Sequence, residues 1–370
     1  MTVVTGGITN FYAGGNTARG FTSLFDSSMQ GLERVYALQG GPGTGKSGLL
    51  RDIGAHMTQQ GYDIWLIHCA SDNDAVEGLV IPALKIGIVD VDGTVPHIIE
   101  LKLPETVLQY VRMDAAKDAA QLSGRSSDNL SLHNDISQAY EHAYSSFAEA
   151  LRIHDDWEAF YIANMNYGAA DELTETYSRL LYGDRRLEKQ SRVDHRFLGA
   201  ATPNGAVDFV PNLTEGLKRY FIKGRPGSGK STMLKKLAAY GTDHGFDVEI
   251  YHCGFDPNSL DMIIVRELGF AIFDSTAPHE YDPEHATDEI VDTYARCIKP
   301  GTDEAYADNI RVLKEQYASQ MKQSIQFLSQ AKSLQDELKQ IHAEATDFSV
   351  VERIKNDILQ DIVGLAAARS

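Results

Sequence analysis

The alternation of apolar and polar residues predicts two long helices, one in each half of the chain. In both stretches apolar side chains recur at spacings of three and four residues, which places them on one face of a helix. In the first stretch these residues are Leu132, Ile136, Tyr140, Phe147, Leu151 and Tyr161. In the second they are Tyr306, Ile310, Leu313, Tyr317, Met321, Ile325, Leu328, Ala331, Leu334, Leu338 and Ile341. We expect these faces to pack in the core, and the alternative is a coiled coil with a partner.

Shorter apolar runs precede each long helix in an order that predicts an α/β fold. A β-rich run ends at a glycine-rich loop, and a helix follows, from Ser47 to about Gln60 in the first half and from Ser231 to about His244 in the second. Next come a strand that ends in His-Cys, a short helical or loop segment, and a strand that ends in Asp. This alternation predicts a parallel sheet flanked by helices, with a long helical appendage after the last of these strands.

Several segments of the first half recur in the second half after a constant number of residues. Three pairs of segments are alike, namely ERVYALQGGPGTGKS (33–47) with KRYFIKGRPGSGKS (218–231), GYDIWLIHC (61–69) with GFDVEIYHC (245–253), and LKIGIVD (84–90) with LGFAIFD (268–274). The offset from Lys46 to Lys230 is the same in the other two pairs, and we call it the repeat offset. Such a register indicates a duplicated unit. The sequence therefore predicts two domains, 1–184 and 195–370, joined by a linker at 185–194, as a pseudo-dimer within one chain.

Composition and charge argue against nucleic acid and membranes as partners and against an oxidising compartment. Apolar residues form 43% of the 370 residues and charged residues 23%, as in folded soluble proteins. A net charge of −18 repels phosphate backbones and anionic lipids, so we expect neither nucleic-acid binding nor membrane association. The three cysteines give no disulfide framework, and no signal peptide or membrane-spanning run is recognisable. These features predict a reduced, cytoplasmic protein.

Each half carries the motif GxxxxGK[ST], which is typical of phosphate-binding loops. We call residues 40–47 the first glycine loop and residues 224–231 the second. Glycines let successive N–H groups surround a phosphate, the next helix presents its positive end, the lysine reaches the β- and γ-phosphates and the serine ligates Mg²⁺. The predicted nucleotide-binding residues are Gly41, Gly43, Thr44, Gly45, Lys46, Ser47 and Gly48 in the first half and Arg225, Gly227, Ser228, Gly229, Lys230, Ser231 and Thr232 in the second.

In both halves an aspartate that could hold a metal ion follows the loop lysine after the same number of residues. Asp90 and Asp274 close apolar runs at these positions, where an aspartate can hold Mg²⁺ through water. The sequence thus predicts Asp90 with Ser47, and Asp274 with Ser231, as metal ligands. Lys46, Lys230 and both aspartates are also predicted to act in catalysis. The alternative for the aspartates is a role as strand caps.

Hydrolysis also needs a group that orients water, and the glutamate that often follows such an aspartate is absent. The next residues are Val91 and Ser275. Thr94 with His97, and Thr276 with His279, are the polar residues that repeat nearby. We predict that His97 and His279 position water or sense the γ-phosphate. The alternative is a turn that holds a hydrogen-bonded histidine.

Several segments together resemble a family of bacterial tandem P-loop proteins, which are catalogued as ATPases or as nucleotide-kinase-like proteins. The segments are GGNTARGF, GGPGTGKS, IHCASDND, HRFLGAATPNGAVDF, KGRPGSGKSTMLKK, YHCGFDPNSLD and FDSTAPHEY, and they span nearly the whole chain. The resemblance implies a P-loop NTPase fold in each half and ATP binding at both loops. It assigns phosphate binding to Gly45, Lys46, Ser47, Gly229, Lys230 and Ser231.

The sequence favours one function and leaves two others open. The favoured one is a Mg²⁺-dependent ATPase, an NTP hydrolase, whose second loop is the more active because Arg225 and Thr232 occur only there. The first alternative is a small-molecule or nucleotide kinase with its acceptor near Asp72 or Asp256. The second is a nucleotide-gated interaction protein that hydrolyses little. Assembly of whole chains into a further oligomer is left open.

Overall fold

A computed structural model describes residues 5–92 and 97–369 of the chain. Thr94, one of the sequence-predicted polar residues, therefore lies outside the described residues. The strands of the first half are β1 (Ile8–Tyr12), β2 (Gly14–Thr17), β3 (Gly20–Ser23), β4 (Arg34–Gln39), β5 (Ile64–His68), β6 (Val76–Ile81), β7 (Ile86–Asp90) and β8 (Leu108–Arg112). Its helices are α1 (Phe25–Ser28), α2 (Lys46–Gln59), α3 (Ala119–Ser123), α4 (Ser126–Ile162) and α5 (Tyr167–Tyr182).

The second half repeats this succession, except that a short α-helix takes the place of the 3-10 helix Met113–Ala116 of the first half. Its strands are β9 (Val193–Phe197), β10 (Gly199–Thr202), β11 (Gly205–Asp208), β12 (Lys218–Lys223), β13 (Val248–His252), β14 (Leu260–Val265), β15 (Phe270–Asp274) and β16 (Glu289–Asp292). Its helices are α6 (Val210–Leu213), α7 (Lys230–Asp243), α8 (Thr293–Cys297), α9 (Thr302–Ala305), α10 (Ala307–Glu344) and α11 (Phe348–Arg369). The helices after the glycine loops and both long helices lie where the sequence predicts them.

Twelve strands form one large mixed, mostly parallel sheet flanked by helices. Its order is β16-β12-β15-β14-β13-β9-β1-β5-β6-β7-β4-β8. Read outward from the centre, β1-β5-β6-β7-β4-β8 and β9-β13-β14-β15-β12-β16 follow the same path. The two sets meet where β1 and β9 pair antiparallel at Tyr12 and Phe197. Hairpins β2-β3 and β10-β11 form separate two-stranded sheets.

The prediction of a parallel sheet is wrong for one strand in each half. The segment predicted as helical or loop, between the strand that ends in His-Cys and the strand that ends in Asp, is strand β6 or β14, and each pairs antiparallel with both neighbours. Every residue of both strands is buried. A six-residue strand buried on both faces has no polar–apolar alternation, so a short apolar run does not distinguish it from a buried helical segment.

The two long helices pack against each other, which buries the apolar faces predicted from sequence. Tyr140, Phe147 and Ile136 of α4 share one core cluster with Leu328 and Leu338 of α10. The pair therefore joins the two halves through apolar burial, as expected for core packing. Within residues 5–92 and 97–369, no helix is long and apolar enough to cross a membrane.

The helix that follows each long helix packs on the opposite half of the chain. Tyr182 of α5 donates a hydrogen bond to the carbonyl of Leu237 in α7, at 2.9 Å. Ile358 and Ile362 of α11 belong to the core cluster around α2. Each sheet half is therefore covered by a helix from the other half. The predicted domain boundaries stay a prediction, but the halves cannot separate without exposing these apolar contacts.

Candidate functional site

Both glycine loops have the backbone conformation that a phosphate cradle needs. The first loop connects β4 to α2 and the second connects β12 to α7. Gly43 and Gly45 have φ angles of +74° and +78°, and Gly227 and Gly229 have angles of +70° and +88°. Only glycine adopts this left-handed region without strain, and such a turn directs successive N–H groups to one side. The two motifs thus have the same local geometry.

The loop lysines reach the strand-end aspartates. Strand β7 pairs in parallel with β4, so Asp90 emerges next to the first loop, and β15 places Asp274 next to the second in the same way. Lys46 Nζ lies 3.2 Å from Asp90 Oδ1, and Lys230 Nζ lies 3.5 Å from Asp274 Oδ2. Lys230 also donates a hydrogen bond to the carbonyl of Arg225, at 2.9 Å. Cation and carboxylate therefore meet at the mouth of each loop.

The loop serines fix the loop to the neighbouring strand. Ser47 Oγ accepts a hydrogen bond from the Val76 N–H at 3.0 Å, and Ser231 Oγ accepts one from the Leu260 N–H at 2.9 Å. A hydroxyl that accepts one bond keeps its proton and a second lone pair. Hydroxyl and carboxylate oxygens are the hard ligands that Mg²⁺ prefers, so Ser47 with Asp90 and Ser231 with Asp274 fit the metal.

The end of a long helix from the opposite half covers each loop. A Cβ atom at Gly43 would overlap the carbonyl oxygen of Lys339 in α10. One at Gly227 would lie 2.8 Å from the carbonyl oxygen of Glu158 in α4. Glycine is thus required at these positions by the close approach of a helix as well as by φ. Each candidate site is built from both halves of the chain.

Two isolated β-bridges show which residues of the long helices correspond. One bridge pairs Lys117 with Thr346, and the other pairs Met165 with Ile298. Each bridge joins one residue of the first half to one of the second. The first-half residue of one bridge corresponds to the second-half residue of the other, so Lys117 corresponds to Ile298 and Met165 to Thr346. The two pairs have the same offset along the chain. This common offset, which we call the helix register, aligns α4 with α10.

The two helix ends carry opposite charges over their loops. In the helix register, Lys339 of α10 takes the place of Glu158 in α4. Lys339 forms an ion pair with Asp72, and Lys332 lies 3.7 Å from the same carboxylate. These two lysines hold the pKa of Asp72 low against the opposing effect of burial. The end of α10 is therefore tied to the first site by charge.

The charges in the second site are arranged differently. Asp256, the counterpart of Asp72, pairs with Arg19 at 2.8 Å. Glu158 takes the position of the first site's lysine, and burial, with the neighbouring Asp155, raises the pKa of Glu158. Ion pairs between helix and loop region thus close the first site, whereas no such pair closes the second among the described residues.

A cavity of about 1380 Å³ opens beside the second glycine loop. It contains every predicted residue of the second half, which are Arg225, Gly227, Ser228, Gly229, Lys230, Ser231, Thr232, Asp274 and His279. Both long helices and α5 form its other walls. In the first half, Gly41, Gly43, Thr44, Gly45, Lys46, Ser47 and Gly48 lie on the loop and the first turn of α2. The loop residues of the two halves are buried alike: the Lys46 and Lys230 side chains are 6% and 10% exposed, and Thr44 and Ser228 are each 1% exposed.

Two arginines that differ between the halves are engaged by acids. The Arg225 guanidinium binds Asp303 at 3.0 Å and lies over the ring of Tyr294. Arg19 binds Asp256 from the other half of the chain. These contacts direct both guanidinium groups toward carboxylates.

The two predicted histidines occupy different environments. His97 is 9% exposed, stacks on Phe21 at 4.1 Å and has Nε2 2.6 Å from the Tyr144 hydroxyl. Burial lowers its pKa to about 4. His279 lies in the cavity with Nδ1 2.7 Å from Asp208 Oδ2. Burial favours the neutral form, but the bond to Asp208 outweighs it and raises the pKa of His279.

This difference predicts that the pKa values of His279 and His97 are shifted in opposite directions. In an NMR titration, His279 should show a pKa above the ordinary value of 6.5, and His97 a pKa of about 4. Because the folded pKa of His279 exceeds the unfolded value, its bond to Asp208 stabilises the fold below pH 6.5 and is lost as the pH rises through the folded pKa. Asp208→Asn should lower the pKa of His279 and leave His97, the internal control, unchanged. A His279 pKa at or below 6.5 in the wild type would contradict this assignment.

Sequence reasoning missed a buried carboxylate in each half. Asp261 lies on β14 in the wall of the cavity, and burial together with Asp274 raises its pKa to about 6. Glu77 is its counterpart on β6, and it is also buried. The repeat offset applied to acidic positions would have found this pair. The residues that α4 contributes to the second cavity carry no such signal, since the repeat assigns them to the first half.

The chain was compared with known proteins at three levels. No protein-family model, no curated protein and no solved structure matches it. The candidate site is therefore described from this chain's own glycine loops, cavity and surrounding side chains.

Proposed function

We propose that the protein is a Mg²⁺-dependent ATPase built from two duplicated P-loop NTPase domains. The observation that carries the proposal is the same group in both halves: a glycine loop between strand and helix, with its lysine within 3.2 or 3.5 Å of an aspartate on the neighbouring parallel strand. The identical strand paths of the two halves support the duplication. The tandem P-loop resemblance of the sequence supports ATP as the nucleotide.

Each group of the second site has a separate role in phosphoryl transfer. The N–H groups of the glycine loop hold the phosphates, and Lys230 neutralises charge on the transferred group. Mg²⁺, held by Ser231 and Asp274, would neutralise further phosphate charge. Asp261 and His279 lie in the same cavity and orient the attacking water. They take the place of the glutamate that the sequence lacks after Asp274.

Phosphate release from Mg·ATP without any acceptor tests this proposal. The wild type should release phosphate steadily, and the double variant Lys46→Ala/Lys230→Ala should not, because both loops then lack the cation that faces the phosphates. Circular dichroism of the double variant controls for folding. Nucleotide binding without turnover in the wild type would reject the ATPase and leave the two alternatives, a kinase and a nucleotide-gated interaction protein.

The size of the second cavity supports a kinase as the second candidate. Small-molecule sites usually enclose about 300–1,000 Å³. At about 1380 Å³ this cavity has room for a nucleoside triphosphate and a further molecule. Asp256, which the sequence indicates as near an acceptor, is part of its wall. A kinase would release little free phosphate at any time, and it would form ADP only when its acceptor is added, because the phosphoryl group then passes to the acceptor.

A further inference from the structure

A group of aromatic side chains lines the part of the second cavity between the long helices. His154 and Trp157 come from α4, Phe255 from the segment after β13, and Tyr317 from α10. We call these four residues the aromatic wall. Neighbouring ring centroids lie 5.7–6.3 Å apart and the rings are inclined to one another. All four are half-buried, so their rings contact each other and still line the open space.

The four residues of the aromatic wall have no aromatic counterparts at the equivalent positions of the first site. In the helix register, His154, Trp157 and Tyr317 correspond to Gln335, Leu338 and Ile136. At the repeat offset, Phe255 corresponds to Ser71. All of these counterparts are buried, with exposures of 0–2%. The fold is therefore built without aromatic residues at these places in the other half, so packing does not require them.

Polar groups stand beside the rings and could bind ring substituents. Lys314 Nζ lies 5.2 Å from the centre of the Trp157 ring. Asp155 and Glu158 belong to the same cavity wall, and with His154 they place ligand-type atoms within 4.8 Å of one another. Apolar ring faces with a few donors and acceptors at their edge match a flat heterocycle, which stacks through its face and forms hydrogen bonds through its rim.

We propose that the aromatic wall binds the base of a nucleoside-sized molecule that occupies the cavity together with the nucleotide at the second glycine loop. The proposal rests on the proposed function, because that function places the triphosphate at the loop. The volume of about 1380 Å³ accommodates both molecules. Phe255 immediately precedes Asp256 and lines the same cavity as Asp274, so the bound molecule would share this space with the phosphates.

Binding of ribonucleosides in the presence of saturating Mg·AMP-PNP, a non-hydrolysable ATP analogue, tests the proposal. Adenosine, guanosine, cytidine and uridine are titrated by calorimetry into the full-length protein, with ribose as the ringless control. At least one nucleoside should bind and ribose should not. Phe255→Leu and Trp157→Leu should each weaken binding roughly tenfold, the effect of losing one base–aromatic stack.

Phe160→Leu is the matched control on the same helix. Phe160 packs on Tyr306 at 4.8 Å and lies outside the cavity wall, so nucleoside affinity should not change. The proposal is overturned if no nucleoside binds, if AMP-PNP displaces the bound nucleoside, or if the three variants lose affinity equally. Failure of the nucleotide site in the proposed function gives a different result, in which AMP-PNP itself does not bind while nucleosides still bind through Phe255 and Trp157; failure of hydrolysis alone appears only in the phosphate-release assay.

Discussion

Lys230→Ala is expected to reduce phosphate release from Mg·ATP by roughly 10²–10³-fold, whereas Lys46→Ala should leave most of it. Lys230 lies in an open cavity of about 1380 Å³ with Asp274, Asp261 and His279, so its charge is available to the γ-phosphate. The Lys46 and Lys230 side chains are similarly buried, at 6% and 10% exposed, so the expected difference rests on the cavity and on the helix end above the first loop. Steady-state phosphate release of the two single variants measures the difference.

The ion pairs of Asp72 explain why the first site should contribute less. The α10 end lies against the first loop and is held to Asp72 by Lys332 and Lys339, so we expect it to hinder nucleotide entry there. Lys85→Ala removes an exposed lysine that pairs only with Glu33 among the ion pairs of the described chain, and it serves as the charge control. Equal loss of turnover in Lys46→Ala and Lys230→Ala would show that both sites work alike and refute the ranking.

Arg196→Met is expected to lower the free energy of unfolding by about 3 kcal/mol. The Arg196 guanidinium is 1% exposed and lies between the rings of Phe11 and Trp65, at 4.5 and 4.3 Å from their centres. Its Nη1 is 3.5 Å from Glu249 Oε2. Methionine fills similar space but leaves this nearly buried carboxylate with Arg266, at 2.6 Å, as its remaining strong cationic partner. Urea unfolding monitored by circular dichroism measures the change.

The effect of Arg196→Met should depend on pH in one direction. Burial by itself would raise the pKa of Glu249, but Arg196 and Arg266 hold it below the ordinary value of 4.5. Stability from a carboxylate with a lowered pKa is present above its unfolded pKa and is lost as the pH falls through its folded pKa. The difference between wild type and variant should therefore shrink in acid.

Arg152→Met is the control for Arg196→Met, because Arg152 lies exposed on α4 and pairs with Glu149 and Asp156. Exposed pairs contribute about 0–1 kcal/mol, so this variant should unfold close to the wild type. A loss at Arg196 no larger than that at Arg152 would show that the contact across the β1–β9 junction is not needed for stability.

Local sequence was enough to predict the strands, turns and helices around the two loop lysines. GxxxxGK[ST] predicted a strand, a turn and a helix around Lys46 and Lys230, since the glycines and the helix start are set by neighbouring residues. The repeat added Asp90 and Asp274 at a common distance from the lysines. Helical periodicity predicted α4 and α10, because a stripe of apolar residues over about ten turns has no other regular structure that buries it.

The direction of a buried strand was beyond sequence reasoning. Val76–Ile81 and Leu260–Val265 are buried on both faces, so they show no alternation, and the hydrogen bonds that orient them come from strands distant in the chain. Their acidic residues Glu77 and Asp261 were missed because these segments were predicted as helical or loop, although the two residues are related by the repeat offset.

By itself the sequence determined the repeated segments of the two halves, the two glycine loops, their lysines and aspartates, and the long helices, because each depends on residues close in the chain or repeated at one offset. Only the tertiary structure decided that each long helix ends on the opposite loop. It also decided that Lys339 approaches the first loop while Glu158 approaches the second, and that the open cavity lies in the second half. Contacts between the halves join residues far apart in the chain, and local propensity carries no information about which distant charges meet.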